Sequence, residues 1–291
     1  MIPKMTTKGD SAAGSSGWPP TTPLLEQRFA RLDGYAIHYQ SAGTGNKAIV
    51  FLSGWGCDTS IWRHQVSALA PQARLLLVDL PGHGRSDKPD VQYTIALFAQ
   101  AVDAVLEDAH VERAAVAGHS MGAMVAYRFA QEHREKTIAI IFVDGAFGIP
   151  VEVEQQLEGF RRRAQDLRSP NYREKITPFI GELFIPETPA AVRSEVREAI
   201  LATPQHVLAS CMVNFAEDPR MFTPVVLDVR AFAIFCTFWH PERFIDIFKK
   251  YLPRLEYEQM PGSGHYPMLE KPNETNAALL RFIAKIRQEL Q

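Results

Sequence analysis

The stretch AAVAGHSMGAMVAYRFA, residues 114–130, changes character in its middle and decides how the rest of the chain is interpreted. It begins as a continuous apolar run typical of a buried strand and continues as an alanine-rich run typical of a helix. Between the two lies GHSMG, residues 118–122, with Ser120 at its centre. Glycine and serine are turn residues, so a sharp turn is the simplest interpretation. The G-x-S-x-G spacing between a strand and a helix also marks a serine nucleophile on a strained elbow.

The bulk composition limits the classes of protein to consider. A chain of 291 residues, 46% hydrophobic, is near the upper size for one core, so we expect one main domain with room for an insertion. A net charge of −2 provides no basic excess for nucleic acid or an anionic membrane. No apolar run reaches the roughly 18 residues of a membrane span. Cys57, Cys211 and Cys236 are widely spaced and form no disulfide framework, which favours a reducing, cytoplasmic location.

The N-terminal segment, residues 1–23, differs in composition from the rest of the chain. It is rich in glycine, serine, threonine and proline and contains no apolar segment of the kind found in signal peptides. This composition predicts a disordered tail. The run from Arg161 to Arg163 is a dense basic cluster, which we interpret as a solvated helix face.

Strand and helix patterns alternate from residue 24 to residue 147. Residues 27–43 alternate apolar and polar side chains around Asp33-Gly34, which predicts a hairpin. Continuous apolar runs at 48–52 and 113–117 predict buried strands, and a helix is expected from Met121. Residues 94–111 predict an amphipathic helix whose apolar face consists of Leu97, Ala101, Val105 and Leu106. This alternation predicts an α/β fold with a mostly parallel central sheet flanked by helices.

The alternation stops after residue 147. Residues 148–224 look helical and contain repeated prolines, which predicts an inserted helical cap. Residues 225–291 return to strand patterns and end in an amphipathic helix from about Asn273. The predicted organisation is therefore a core in two parts, 24–147 and 225–291, with the cap between them. Apolar cap residues that could line a substrate chamber are Phe160, Phe179, Phe184, Met212, Phe215 and Met221.

Four segments, in order, resemble those of the α/β-hydrolase fold over residues 24–291. They are FLSGWGCD (51–58), VDLPGHGRSD (78–87), GHSMG (118–122) and PGSGHYPMLEKP (261–272). The resemblance implies an oxyanion loop after the third strand, a structural loop with Asp79, His83, Arg85 and Ser86 after the fourth, the nucleophile elbow, and a loop bearing a catalytic histidine.

The resemblance also implies roles for individual residues. Ser120 corresponds to the nucleophile and His265 to the base that activates it. The backbone N–H groups of Met121 and Trp55 correspond to the two oxyanion donors. Ser53 stands where the family more often has histidine, which leaves the local hydrogen bonding of the oxyanion loop open.

The acid that orients His265 is harder to assign. The family commonly places it after the seventh strand, but residues 234–244, IFCTFWHPERF, offer no carboxylate at the strand end. Glu242 and Asp246 come later, where a helix should already have begun. Some family members carry the acid after the sixth strand, where this chain has Asp144. The order Ser120, Asp144, His265 is the order that this fold uses, so Asp144 is the predicted acid.

The expected function is that of a serine hydrolase acting on a carboxylic ester, thioester or lactone through an acyl-enzyme. The expected substrate is a small or medium apolar acyl compound, with no metal, no cofactor and no nucleic acid. Predicted pocket residues are Trp55, Phe147, Trp239 and Tyr266. Two alternatives on the same fold stay open: a cofactor-free dioxygenase of a quinolone-type heterocycle, and a small-molecule receptor with little turnover. The dioxygenase elbow often carries histidine after the serine, whereas this chain has Met121.

Overall fold

The computed structural model of the chain describes residues 24–147, 153–218, 223–237 and 241–291. The predicted tail, the predicted pocket residue Trp239 and the predicted chamber residue Met221 lie outside these ranges. The strands are β1 (Glu26–Leu32), β2 (Tyr35–Ala42), β3 (Lys47–Leu52), β4 (Arg74–Val78), β5 (Arg113–His119), β6 (Thr137–Val143), β7 (Arg230–Cys236) and β8 (Leu255–Met260). The helices are α1 (Arg63–Leu69), α2 (Ile95–Asp108), α3 (Met121–Glu132), α4 (Val153–Arg168), α5 (Tyr172–Glu182), α6 (Ala190–Ala202), α7 (Gln205–Glu217), α8 (Pro241–Tyr251), α9 (Pro267–Glu270) and α10 (Pro272–Leu290).

The eight strands in the described part of the chain form one sheet, in the order β1-β2-β4-β3-β5-β6-β7-β8. The pairs β1–β2 and β2–β4 are antiparallel, and every other pair is parallel. The parallel strands β3 to β7 are buried along almost their whole length, because helices cover both faces of the sheet. The predicted fold class, a mostly parallel sheet flanked by helices, is confirmed.

The register of the central strands brings three loops together. Leu52 at the end of β3 pairs with Gly118 of β5, and His119 of β5 pairs with Val143 of β6. The chain segments that follow these strands therefore leave the sheet side by side at its carboxyl edge. This edge is where ligands bind in open α/β sheets.

Helices α4 to α7 lie between β6 and β7 in the sequence, and we call them the helical insertion. The insertion contacts the core through defined hydrogen bonds, since the Trp55 indole Nε1 donates to the Leu208 carbonyl at 3.1 Å and the Tyr93 N–H donates to Ser210 Oγ at 2.9 Å. Within the described ranges, no single helix has the length and apolarity to cross a membrane, and α6 with α7 meet those criteria only as a pair bent by 92°.

Helix α2 differs in one respect from the expectation of a single apolar face. Ala101, Val105 and Leu106 are buried as predicted, but Leu97 is only partly buried, while Phe98 and Val102 are fully buried. The helix packs against both α3 and β1, so its buried surface is wider and rotated relative to the predicted face.

Candidate active site

The turn between β5 and α3 holds Ser120 in a strained backbone conformation. Its φ of 51° and ψ of −116° lie outside the regions that an L-residue prefers, at a cost of about 1–3 kcal/mol. The flanking glycines allow this turn, since a Cβ at Gly118 would overlap the Gly122 carbonyl and a Cβ at Gly122 would overlap the Leu52 carbonyl. The strain therefore holds the Ser120 side chain at the edge of the sheet, at the first turn of α3.

The loop after β3 packs directly against this elbow. A Cβ at Gly54 would lie 3.0 Å from Ser120 Cβ, so the backbone of the loop touches the serine. The Trp55 N–H donates to no group in the part of the chain that the structure describes. The Met121 N–H lies in the first turn of α3, where backbone N–H groups have no acceptor within the helix. Neither backbone N–H therefore has an acceptor in the described part of the chain.

The open question about Ser53 has a structural answer. Ser53 is buried, and its Oγ donates to the Asp58 carbonyl at 2.7 Å. The Cys57 N–H donates to the Gly54 carbonyl at 3.1 Å, which closes the loop from the other side. Ser53 thus provides an internal hydrogen bond of the loop from the position where a larger histidine is more common.

Asp144 follows β6 and is completely buried. It has a φ of 45°, and its N–H donates to the Ile234 carbonyl of β7 at 2.9 Å. Its Oδ1 accepts the Cys236 N–H at 2.8 Å, and its Oδ2 lies 2.6 Å from Nδ1 of His265. The amide at the end of β7 thus orients a carboxylate carried by β6. Asp246, by contrast, is exposed on α8, and the side chain of Glu242 is outside the described part.

Hydrogen bonds hold both the backbone N–H and the backbone carbonyl of His265. Its N–H donates to the Leu183 carbonyl in the helical insertion at 3.0 Å, and its carbonyl accepts Nε2–H of His119 at 2.8 Å. Because a carboxylate only accepts hydrogen bonds, Nδ1 of His265 carries the proton that it donates to Asp144. Nε2 is left as a proton acceptor, and the ring lies at the wall of a cavity shared with Ser120.

The environment of His119, the neighbour of Ser120 in sequence, does not suit a general base. It is fully buried, and burial, together with nearby His265, lowers its pKa well below the usual value, although the hydrogen bond to the His265 carbonyl acts in the opposite direction. Since Nε2 is the donor in that bond, Nδ1 carries the lone pair, and Nδ1 has no partner in the described part. His119 is therefore a neutral residue that holds the backbone of His265.

The cavity above the elbow has a volume of about 100 Å³ and is mostly apolar. Two of the four predicted pocket residues, Trp55 and Tyr266, line it. Phe147 is not among its described lining residues; its ring is buried in the core, stacked on Tyr127. The remaining lining residues are Gly54, His119, Ser120, Met121, Met124, Phe160, Phe179, Leu183, Met212, Phe215 and His265.

Met124 and Leu183 are pocket residues that the sequence did not single out, and the predicted chamber residue Phe184 does not line the cavity. Met124 lies on α3 one turn after the elbow, so helical spacing from Ser120 could have indicated it. Leu183 reaches the cavity only because the end of α5 packs against the His265 loop, which no local pattern reveals.

Comparison with known proteins establishes the family. Residues 49–278 match the model of the alpha/beta hydrolase family, and the chain belongs to that family. An uncharacterized protein of Mycobacterium tuberculosis is 33% identical over 135 residues, covering 46% of this chain and 38% of that protein. A pimeloyl-[acyl-carrier protein] methyl ester esterase of Photorhabdus laumondii is 25% identical over 261 residues, covering 86% of this chain and 97% of that enzyme.

The fold has close structural counterparts as well. A thermophilic esterase from Thermogutta terrifontis superposes with a TM-score of 0.77 at 22% identity, covering 90% of this chain and 99% of the other.

The matches to the first curated relatives by sequence span about two fifths of the length of those relatives or less, with 38%, 31% and 40% for three of them.

Proposed function

We propose that the protein is a serine hydrolase with Ser120 as nucleophile, His265 as general base and Asp144 as the orienting acid. One observation carries the proposal: the strained Ser120 and His265 line the same small cavity, and Nδ1 of His265 is bonded to the buried carboxylate of Asp144. A serine hydroxyl is a weak nucleophile at neutral pH and becomes effective only with an adjacent base of this kind.

In the proposed reaction, Ser120 Oγ attacks the carbonyl carbon of the substrate while Nε2 of His265 removes the hydroxyl proton. The Trp55 and Met121 amides stabilise the oxyanion of the tetrahedral intermediate. The protonated His265 then gives its proton to the leaving group, and an acyl-enzyme remains. Water repeats the sequence and releases the acid, while Asp144 holds the tautomer of His265 and stabilises its protonated form.

The proposed substrate is a carboxylic ester, thioester or lactone with a small or medium apolar acyl group. The apolar lining and small volume of the cavity support this class, because a charged acyl group would lose its hydration there without a partner. The names of the Photorhabdus and Thermogutta proteins, both esterases, are consistent with the class.

Labelling with a fluorophosphonate, followed by peptide mapping and a screen of esters, thioesters and lactones of increasing acyl length, tests the proposal. We expect a single label on Ser120 and turnover that is greatest for short apolar acyl groups. Ser120→Ala should abolish labelling and lower kcat by about 10⁶-fold. Label on a different serine, or substrate-dependent oxygen uptake without hydrolysis, would contradict the assignment.

A further inference from the structure

The carboxylate of Glu270, which has no role in the proposed reaction, accepts hydrogen bonds from the backbone on both sides of His265. Glu270, the last residue of α9, accepts the Gly264 N–H with Oε2 at 2.6 Å and the Tyr266 N–H with Oε1 at 3.2 Å. The two amides belong to the residues immediately before and after the histidine. A single side chain therefore fixes the loop segment from which the imidazole projects, and charge-assisted bonds of this type are the stronger ones.

The same carboxylate is bonded to the helical insertion. Thr188 Oγ donates to Glu270 Oε2 at 3.2 Å, and Thr188 is 4% exposed. The turn that presents Thr188 is itself ordered, since the Ile185 N–H donates to Thr188 Oγ at 3.2 Å and Arg193 Nε donates to the Thr188 carbonyl at 2.9 Å. The hydroxyl of Thr188 thus joins the insertion to the carboxylate that holds the His265 loop.

There is little free space between Gly264, Thr188 and the Glu270 carboxylate. A Cβ at Gly264 would lie 2.9 Å from Glu270 Oε1 and 3.1 Å from Thr188 Oγ, so a larger residue would push both groups apart. No lysine, arginine or histidine of the described part forms an ion pair with Glu270. Its two oxygens are instead committed to the three donors that connect His265 with the insertion.

We infer that Glu270 is a positioning residue for His265, and that Thr188 makes this position depend on the seating of the helical insertion. The inference rests on the proposed function. When the insertion sits on the core, Thr188 completes the donors around Glu270, and the Leu183 carbonyl accepts the N–H of His265 itself. When the insertion lifts, both bonds break together and the base loses its alignment with Ser120. The site is then fully assembled only when the insertion covers the cavity.

Glu270→Gln tests the positioning role, because the amide keeps the size of the side chain but turns an NH₂ group toward one of the two backbone donors. We expect kcat per titrated active site to fall by about 10- to 100-fold, the scale of a small misplacement of a catalytic group, with KM unchanged. The matched control is Glu274→Gln, which alters an exposed glutamate at the start of α10 and should leave kcat unchanged.

Thr188→Val tests the link to the insertion, and Thr188→Ser is its rescue. The valine variant removes the hydroxyl and keeps the shape, so we expect kcat to fall by a smaller factor, about 3- to 10-fold. The serine variant keeps the hydroxyl and should return kcat to the wild-type range. Wild-type kcat in Thr188→Val together with a loss in Thr188→Ser would mean that the methyl packing matters and the hydrogen bond to Glu270 does not.

Two measurements do not depend on a known substrate. Amide hydrogen exchange at Gly264 and Tyr266, and the low-field NMR signal of the Nδ1 proton of His265, should both be preserved in wild type and lost or broadened in Glu270→Gln. Lost protection with unchanged kcat, or a lower melting temperature with unchanged kcat per folded molecule, would overturn the inference. A wild-type protein that hydrolyses nothing would instead refute the proposed function, and the exchange and NMR data would then decide the positioning role alone.

Discussion

In the described part of the chain, two histidine–aspartate pairs with buried carboxylates have nearly the same geometry. His265 Nδ1 lies 2.6 Å from Asp144 Oδ2, and His38 Nδ1 lies 2.7 Å from Asp79 Oδ2. The side chain of His265 is 16% exposed, whereas that of His38 is 1% exposed. The difference is in the second ring nitrogen: Nε2 of His38 is bonded to Gln27 at 2.7 Å, while His265 borders the cavity above Ser120.

The two carboxylates also differ in the backbone amides that they accept. Asp79 accepts the Thr59 N–H at 2.8 Å and the Arg85 N–H at 2.9 Å in addition to His38, so it ties the loop after β4 to neighbouring segments. Asp144 binds one backbone amide and the histidine. A histidine–aspartate pair therefore supports the structure when both ring nitrogens are hydrogen-bonded, and is a candidate catalytic base when Nε2 faces a cavity.

The largest expected effect on activity comes from disrupting the Asp144–His265 pair. Asp144→Asn should lower kcat by about 10⁴-fold, because an amide favours the wrong tautomer of the imidazole and cannot stabilise its protonated form. Steady-state kinetics on the best ester of the screen would measure the loss, with Asp246→Asn as the exposed control within a few-fold of wild type. An active Asp144→Asn enzyme would show that the orienting acid lies elsewhere.

Disrupting the Asp79–His38 pair should lower the stability of the fold and leave the catalytic rate nearly unchanged. Asp79→Asn removes the charged acceptor of a buried hydrogen bond with His38, at a cost of about 1.5–3 kcal/mol in the free energy of unfolding. Urea denaturation would measure this change. The kcat of the folded variant should stay within a few-fold of wild type, and a crippled but fully folded Asp79→Asn enzyme would erase the distinction between the two pairs.

A smaller effect is expected from a histidine buried with no carboxylate bonded to its ring. His83 is fully buried, and burial lowers its pKa from the ordinary value of about 6.5. The unfolded chain therefore takes up the proton first, so stability is lost as the pH falls below about 6.5. His83→Asn keeps a donor for the Pro81 carbonyl and should flatten this slope by at most about 1.4 kcal/mol per pH unit.

Urea titrations between pH 5 and pH 8 would measure the slope. The matched control is His110→Asn, at an exposed histidine whose φ of 52° asparagine tolerates. An unchanged slope in His83→Asn would mean that this buried ring does not contribute to acid destabilisation.

Much of the fold could be predicted from local patterns. The run at 48–52 lies within β3, the run at 113–117 within β5, and the helix expected from Met121 begins there. Such segments carry their signal in their own residues, because continuous apolarity and helical spacing reflect burial on the spot. The place of Asp144 at the end of β6 was also readable, since it depends on one strand boundary.

The missed features depend on contacts between distant segments. Phe147 was predicted to line the pocket, but its ring packs in the core against Tyr127. Glu270 lies in the segment 261–272, but the sequence assigned it no role, because its partner Thr188 is 82 positions away. Partners of this kind are set by how the insertion packs on the core, and periodicity within one segment contains no information about that packing.

The wide spacing of the proposed catalytic residues has a consequence for how the molecule reaches its working state. Asp144 and His265 are 121 positions apart, and the helical insertion lies between them in the sequence. Closing so long a segment is entropically costly, so contacts of this range form late in folding. We expect refolding chains to recover helical circular dichroism first and fluorophosphonate reactivity last. Simultaneous recovery of the two signals would show that the sheet and the His265 loop form in one step.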